Sequence, residues 1–372
     1  MRFRTTALTP ALTPVWGAFR NNPKGHALTG DTHDARSKMN MIPAQNAQSA
    51  PVTEDRVALD RSVCVVANPG SGRRDKALFD TIQDELSRAP GRHDLRVVED
   101  GADPVAIARQ AIEDDFDTLV AAGGDGTIGA VSSALFQAHQ DGHAIPHLAI
   151  IPLGTFNYVA RSLDLPLDDP AAATRVALTG APRPLAIGDI NGQVFLNNAS
   201  LGAYPAILDQ REDIYRRFGR SRVAAYWSVV RALMTLGRPL SLKIDVDGQQ
   251  IRRKSPLAFI ANSAYQLEQF DLPGADAIRD HQFAVFVSPD TGRYRMILSA
   301  LRLAGRTARL GRDMELVTGR SVTISTRQKS RLIARDGEKE TMQGPFRFCL
   351  HSDIIQVITP SGAQSETTTD AA

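Results

Sequence analysis

Cysteine is nearly absent: Cys64 and Cys349 are the two in 372 residues, and neither has a His or Cys neighbour at metal-ligand spacing. That removes a disulfide framework and makes a reduced, cytosolic compartment the default expectation. The histidines are scattered without a pair at ligand spacing, which argues against a catalytic zinc. Long apolar runs are missing too. No stretch reaches bilayer-spanning length, so any contact with a membrane is expected to be peripheral. A charge excess is also lacking, with 43 basic against 41 acidic side chains and a formal net charge of +2. No basic field therefore points to nucleic acid as a partner, and local clusters must carry any such argument.

Apolar residues make up 42% and charged residues 23% of the chain, the balance of a soluble globular protein long enough for two domains. Residues 1 to 58 are rich in Thr, Pro, Asn, Gln, Ala and Gly without a sustained period. They read as a disordered extension, within which Met39 or Met41 is a candidate start. From Arg61 the character changes. Ser62 to Ala67 is a continuous apolar run, Asn68-Pro69-Gly70-Ser71-Gly72 breaks it, and Asp75 to Arg88 has helical period. A strand over Leu95 to Val98 and a helix from Asp103 to Asp114 follow. Another apolar strand then runs from Leu119 into Gly123-Gly124-Asp125-Gly126-Thr127, with a helix expected over Thr127 to Phe136. His147 to Ile151 is the next strand, ending in Pro152-Leu153-Gly154-Thr155-Phe156-Asn157. Strands alternating with helices at this spacing predict an α/β domain over 59–183 with a doubly wound parallel sheet. In such a sheet ligands sit beyond the carboxyl ends of the strands, where all three turn-rich stretches fall.

Beyond Pro182 the pattern becomes short strands: Leu185 to Ile190, Gln193 to Asn198, Leu240 to Val246, Leu257 to Ile260, Phe283 to Val287, Ser321 to Ser325, Leu332 to Ala334, Phe346 to Leu350 and Ile354 to Ile358. Turn signals at Asp247-Gly248 and Asp336-Gly337 punctuate them. A mostly β, sandwich-like domain over 184–360 is expected, with a disordered tail over 361–372. Two helical segments interrupt it, Ser221 to Leu236 and Tyr294 to Leu310. In the second, Arg295, Arg302, Arg306 and Arg309 are spaced to share one helical face, which is either a solvated surface or one that meets anionic headgroups.

Glycines 123, 124 and 126 let backbone N–H groups approach an anion, and a helix N-terminus favours negative charge. Asp125 among those amides would repel a phosphate unless a cation lay between them, which implies Mg²⁺. The alternative stays open that the glycines only form a tight turn with Asp125 as its cap.

The ordered series Asn68-Pro69-x-Ser71-Gly72, Gly123-Gly124-Asp125-Gly126-Thr127, Pro152-Leu153-Gly154-Thr155-x-Asn157 and Asp336-Gly337-Glu338 resembles the diacylglycerol-kinase-like lipid kinase family, its soluble bacterial branch in particular. The resemblance covers about residues 60 to 360. It implies an α/β domain and a β-sandwich enclosing a cleft, with ATP along the Gly-rich loops and a lipid hydroxyl, of diacylglycerol or a related lipid, as phosphoryl acceptor. It further implies Asn68, Ser71, Gly123, Gly124, Gly126, Thr127, Thr155 and Asn157 against the nucleotide, Asp125 positioning Mg²⁺, and Glu338 as proton acceptor. A second metal site at Asp280-His281-Gln282 is implied by position, although His281 and Gln282 replace the family's Gly and Leu. Gly129 and Tyr158 also depart from the common pattern. The expected partners are a lipid substrate at a membrane surface and, through an edge strand, a second copy of the chain. Two competing readings are a kinase of a soluble acceptor such as NAD, whose relatives share a GGDG loop, and a catalytically silent binder of the same fold.

Overall fold

The computed structural model describes residues 61–69, 76–99, 101–202 and 239–361. The expected extension over 1–58, Ser71, the expected helix over Ser221 to Leu236 and the tail beyond 361 lie outside the described residues.

The first unit is built from β1 (Val63–Ala67), α1 (Lys76–Arg88), β2 (His93–Val97), α2 (Pro104–Glu113), β3 (Thr118–Gly123), α3 (Asp125–Gln140), β4 (His147–Pro152), α4 (Tyr158–Ser162) and α5 (Pro170–Thr179). β1 and β3 are buried along their whole length, because helices cover both faces of a parallel sheet. Successive residues therefore feed opposite cores. Val63, Val65 and Ala67 pack under α1 and α5 with Ile82, Leu86, Ala173 and Ala177. Cys64 and Val66 pack under α2 and α3 with Ala108, Ala111, Val131 and Leu135. Burial pushes the Cys64 thiol up to about 12, as suits a packing residue rather than a nucleophile. Helices α2 and α5 start alike: Asp103 accepts from Val105 N–H and Asp169 from Ala172 N–H, each followed by a proline at the first helical position.

The strand order β2-β1-β3-β4 reverses direction between β1 and β3. Their carboxyl ends carry Asn68 and Gly123, so the sequence motifs flank the crevice that such a reversal opens.

The second unit comprises β5 (Ala181–Ile190), β6 (Gln193–Phe195), β7 (Asn198–Gly202), β8 (Leu240–Val246), β9 (Gln249–Ser255), β10 (Leu257–Ala261), α6 (Ala264–Gln269), α7 (Ala275–Arg279), β11 (Phe283–Val287), α8 (Arg293–Ala304), β12 (Glu315–Gly319), β13 (Ser321–Thr326), β14 (Ser330–Arg335), β15 (Glu338–Gln343) and β16 (Phe346–Thr359). Six strands, β12-β11-β10-β7-β14-β15, form one sheet. They face β8, β13 and the first half of β16 across a core in which Phe195 stacks on Phe283 at 5.7 Å and meets the edge of Phe348 at 6.3 Å. Gly188 sits under the Phe195 ring, where a Cβ would approach Cζ to 2.5 Å.

β16 joins the units. The two strands expected at 346–350 and 354–358 are one 14-residue strand whose register breaks between His351 and Ile355. Its first half supplies Phe346 and Phe348 to the sandwich, and its second half supplies Ile355 and Val357 to the α/β core. Val357 pairs with Leu148 of β4, making a ten-stranded sheet continuous across the molecule.

Other expectations need correction. α3 begins at Asp125, two residues earlier than its apolar pattern suggests, because the Gly124 carbonyl already accepts from Thr127 and Ile128 N–H groups. The helix expected over Tyr294 to Leu310 stops at Ala304, followed by Gly305 and by Arg306 at φ +55°. Arg306 and Arg309 are therefore beyond the helix, and the four-arginine face does not form. Strands β9, β12 and β15 were not expected: β9 (QQIRRKS) is exposed or half-buried except at Ser255, so it lacks the apolar alternation that marks a strand.

Candidate active site

The Gly-rich corner is two loops locked together. Gly123 pairs with Pro152 in the sheet, and the Gly123 carbonyl accepts from Leu153 N–H at 2.9 Å. A Cβ on Gly154 would stand 2.5 Å from Gly124 Cα and 2.6 Å from Asn157 Oδ1, so only a glycine lets the 152–157 loop lie this close. Gly154→Ala must push backbone against backbone. It is expected to cost about 1–3 kcal/mol, read as a lowered melting temperature by calorimetry; an unchanged transition would mean the loops are not held at this distance.

Asp125 opens α3, but its carboxylate does not cap that helix. Oδ2 accepts from Tyr158 N–H and Oδ1 from Val159 N–H, both at 3.2 Å, so it ties the start of α3 to the start of α4. Burial raises its pKa, and the same backbone donors oppose the rise. Asn157, just before α4, is buried in the left-handed region at φ +51°; its amide donates to the Gly154 carbonyl at 2.9 Å. Asn68 follows β1 and donates its backbone N–H to the Ala122 carbonyl at 2.9 Å. Thr155 is exposed at the loop tip.

Asp336-Gly337 is the turn of the β14–β15 hairpin, with φ of +47° and +92°, and both residues lie in the left-handed region that a two-residue turn requires. Asp336 does more than turn. Oδ2 accepts from Leu196 N–H at 2.7 Å, and Oδ1 from Asn197 N–H at 2.8 Å and Asn198 N–H at 3.0 Å. Its own N–H donates to the Asn198 carbonyl. Burial raises the Asp336 pKa against those three donors, and the negative charge of Asp125 raises it further.

Two residues on, Glu338 is exposed, and among the described residues no cation pairs with it. A Cβ on Gly126 would lie 3.9 Å from Glu338 Oε1. The last motif in the sequence thus meets the second motif in space, 212 residue numbers away.

The sequence motifs therefore converge at 68, 123–127, 152–157 and 336–338. Asp336 itself was legible only as a turn residue; its bonding to 196–198 has no local signal, since the two segments are distant in sequence. Asn262 satisfies backbone beside this clamp, its amide donating to the Leu196 carbonyl at 3.1 Å and the Ala186 carbonyl at 3.3 Å.

The pocket suits an anion with a hard cation. Thr127 Oγ1 and Asn157 Oδ1 are buried without a hydrogen-bond partner, leaving polar atoms for a ligand to engage. No three acidic, His or Cys side chains cluster among the described residues. Mg²⁺ bound to a nucleotide needs only one or two carboxylates, since phosphates and water complete its shell, and Asp125 is the carboxylate at this corner that would serve it. Asp280 is exposed at the end of α7, outside any such cluster. His281 beside it adopts φ +57°, a conformation that favours the glycine it replaces.

No helix among the described residues is long and apolar enough to cross a membrane. The family described as diacylglycerol kinase catalytic domain matches residues 62–190. A diacylglycerol kinase of Bacillus subtilis is 33% identical over 188 residues, which cover 50% of this chain and 59% of the relative's length. One of Staphylococcus carnosus is 23% identical over 303 residues, covering 81% and 96%. The crystal structure of a diacylglycerol kinase from Bacillus anthracis superposes with a TM-score of 0.61 at 23% identity, covering 81% of this chain and 98% of that one, and so shares the two-unit fold. The glycine corner thus lies in the stretch, 62–190, that matches the diacylglycerol kinase catalytic domain, and the chain spans about three fifths of the length of its Bacillus subtilis relative while sharing the two-unit fold of the Bacillus anthracis structure.

Proposed function

We propose that the protein transfers the γ-phosphoryl group of ATP, with Mg²⁺, to a hydroxyl of a membrane lipid, diacylglycerol or a close relative. The observation that carries this is the approach of Glu338 to Gly126. It brings a carboxylate with no competing cation among the described residues to the amino end of α3, where backbone N–H groups and the helix dipole favour phosphate.

Phosphoryl transfer asks for alignment and charge neutralisation more than for covalent chemistry. The 123–127 backbone and the Thr127 hydroxyl supply donors to phosphate oxygens, and Asn68, Thr155 and Asn157 border the same crevice. Mg²⁺, when bound, offsets charge on the phosphate chain. Asp125, tied to α4, is held where it faces that chain. The acceptor hydroxyl oxygen forms the new bond to the γ-phosphorus as the bond to the ADP oxygen breaks, and its proton passes to Glu338.

The test is the purified protein with Mg²⁺ and γ-labelled ATP against diacylglycerol in mixed micelles, with NAD as a parallel acceptor. Label in the lipid is expected. Label in NAD alone, or in neither, overturns the reading.

A further inference from the structure

Helix α8 has an outer face that no described residue covers. Tyr294, Leu298 and Leu301 recur at i, i+4 and i+7 and are 82%, 45% and 49% exposed, with Leu310, just past the helix, at 48%. Among the described side chains of α8 none is buried. Scattered exposed apolar residues need no explanation, but three recurring along one helix, with a fourth in the segment that folds back beside it, form a patch.

The charges around the patch have one sign. Residues 291–314 contain six arginines and a single acid, Asp313, in a protein whose net charge is only +2. Asp313 is nearly fully buried and is committed internally. Its Oδ1 accepts from Ser299 at 2.8 Å and Arg302 at 3.0 Å, and its Oδ2 accepts from Arg312 at 2.6 Å and Arg309 N–H at 3.1 Å. These bonds fold the 305–314 segment, which carries Arg309 and Leu310, back against the Ser299 and Arg302 side of α8. Arg295 and Arg309 keep exposed side chains with no acidic partner among the described residues.

The location adds to the argument. Val287 and Glu315, the roots of this excursion, pair at one end of the six-stranded sheet. Gly202 pairs with Leu257 at the same end. The 203–238 segment begins there and carries seven arginines against three acids. Its arginine excess has the same sign as that around α8.

We propose that the α8 face docks on an anionic phospholipid bilayer, with Tyr294, Leu298, Leu301 and Leu310 entering the headgroup and acyl boundary and Arg295 and Arg309 contacting lipid phosphates. An apolar stripe rimmed by arginine is the composition of an interfacial helix, and apolar entry distinguishes it from a purely electrostatic nucleic-acid surface. Its purpose, delivery of the acceptor, rests on the lipid-kinase reading; the docking itself does not.

Co-sedimentation of the full chain with vesicles of phosphatidylcholine mixed with phosphatidylglycerol, against phosphatidylcholine alone, tests this. Binding to the anionic vesicles is expected, falling with added salt. Each arginine at such a surface contributes about fivefold, so R295E/R309E is expected to weaken binding by at least about 25-fold. L298S/L301S is expected to lose about tenfold or more, with circular dichroism and melting temperature unchanged in both variants. Vesicle binding equal to wild type in both variants, or equal binding to neutral vesicles, overturns the proposal. So does light scattering that shows the patch holding two copies together, with L298S/L301S monomeric. Phosphorylation of a short-chain, dispersed diacylglycerol separates this from the kinase reading: the variants retain it if only docking is lost, whereas wild type that binds vesicles but never labels this acceptor keeps the docking and loses the kinase.

Discussion

Glu338→Gln is expected to reduce lipid phosphorylation by about 10²–10⁴-fold in kcat while leaving the melting temperature and the affinity for Mg²⁺-ATP near those of the wild type. The amide keeps the size of the carboxylate and its place beside Gly126, but it cannot accept a proton from the attacking hydroxyl. Glu338 is exposed at the first position of β15, so no buried hydrogen bond is lost and stability gives no alternative route to the effect. A steady-state assay with separate variation of ATP and lipid makes the measurement. A fall confined to KM for ATP would assign Glu338 to nucleotide or metal binding instead, and a variant as active as the wild type would remove it from the chemistry.

The value of that substitution depends on a contact that local sequence could not supply. Periodicity located β1, β3 and β4, since strands covered on both faces read as unbroken apolar runs, and the loops after them followed from the glycines. The caps at Asp103 and Asp169 were equally local. What escaped was set by tertiary pairing. β15 (EKETMQ) is a strand because it hydrogen-bonds to β14 across the Asp336-Gly337 turn, and only Met342 in it is buried. β12 lies at a sheet edge, where a weak pattern suffices. The helix over 293–304 was over-extended because apolar and basic residues keep a helical spacing through Leu310, whereas the chain turns at Gly305 to let Asp313 reach Ser299 and Arg302. At the site, the glycine corner was legible as an anion-binding element, but Asp125 pointing its oxygens at the α4 amides was not. That bond joins residues 33 and 34 positions apart and shows that the aspartate also sets the geometry between two loops.

Asp336→Asn isolates the second such long-range device. The three N–H groups of Leu196, Asn197 and Asn198 converge on two carboxylate oxygens. An asparagine can turn its carbonyl toward Asn197 and Asn198, but its NH₂ then opposes the Leu196 N–H, so one charge-assisted bond is lost and two donors collide. Charge-assisted hydrogen bonds contribute about 1.5–3 kcal/mol each, and a destabilisation of about 2 kcal/mol is expected by denaturant unfolding. Part of that loss is offset because the substitution removes the repulsion between Asp336 and Asp125. The functional consequence follows from the hairpin. Asp336 anchors the turn from which Glu338 projects, so loosening it moves the carboxylate relative to Gly126 without touching the 123–127 corner. The expected signature is a fall in kcat of about tenfold or more with KM for ATP nearly unchanged, in contrast to Gly154→Ala, which disturbs the corner directly. If Asp336→Asn unfolds at the wild-type denaturant midpoint, the three-donor clamp contributes nothing to the fold. If stability falls but kcat holds, the clamp supports the β14–β15 hairpin without positioning Glu338.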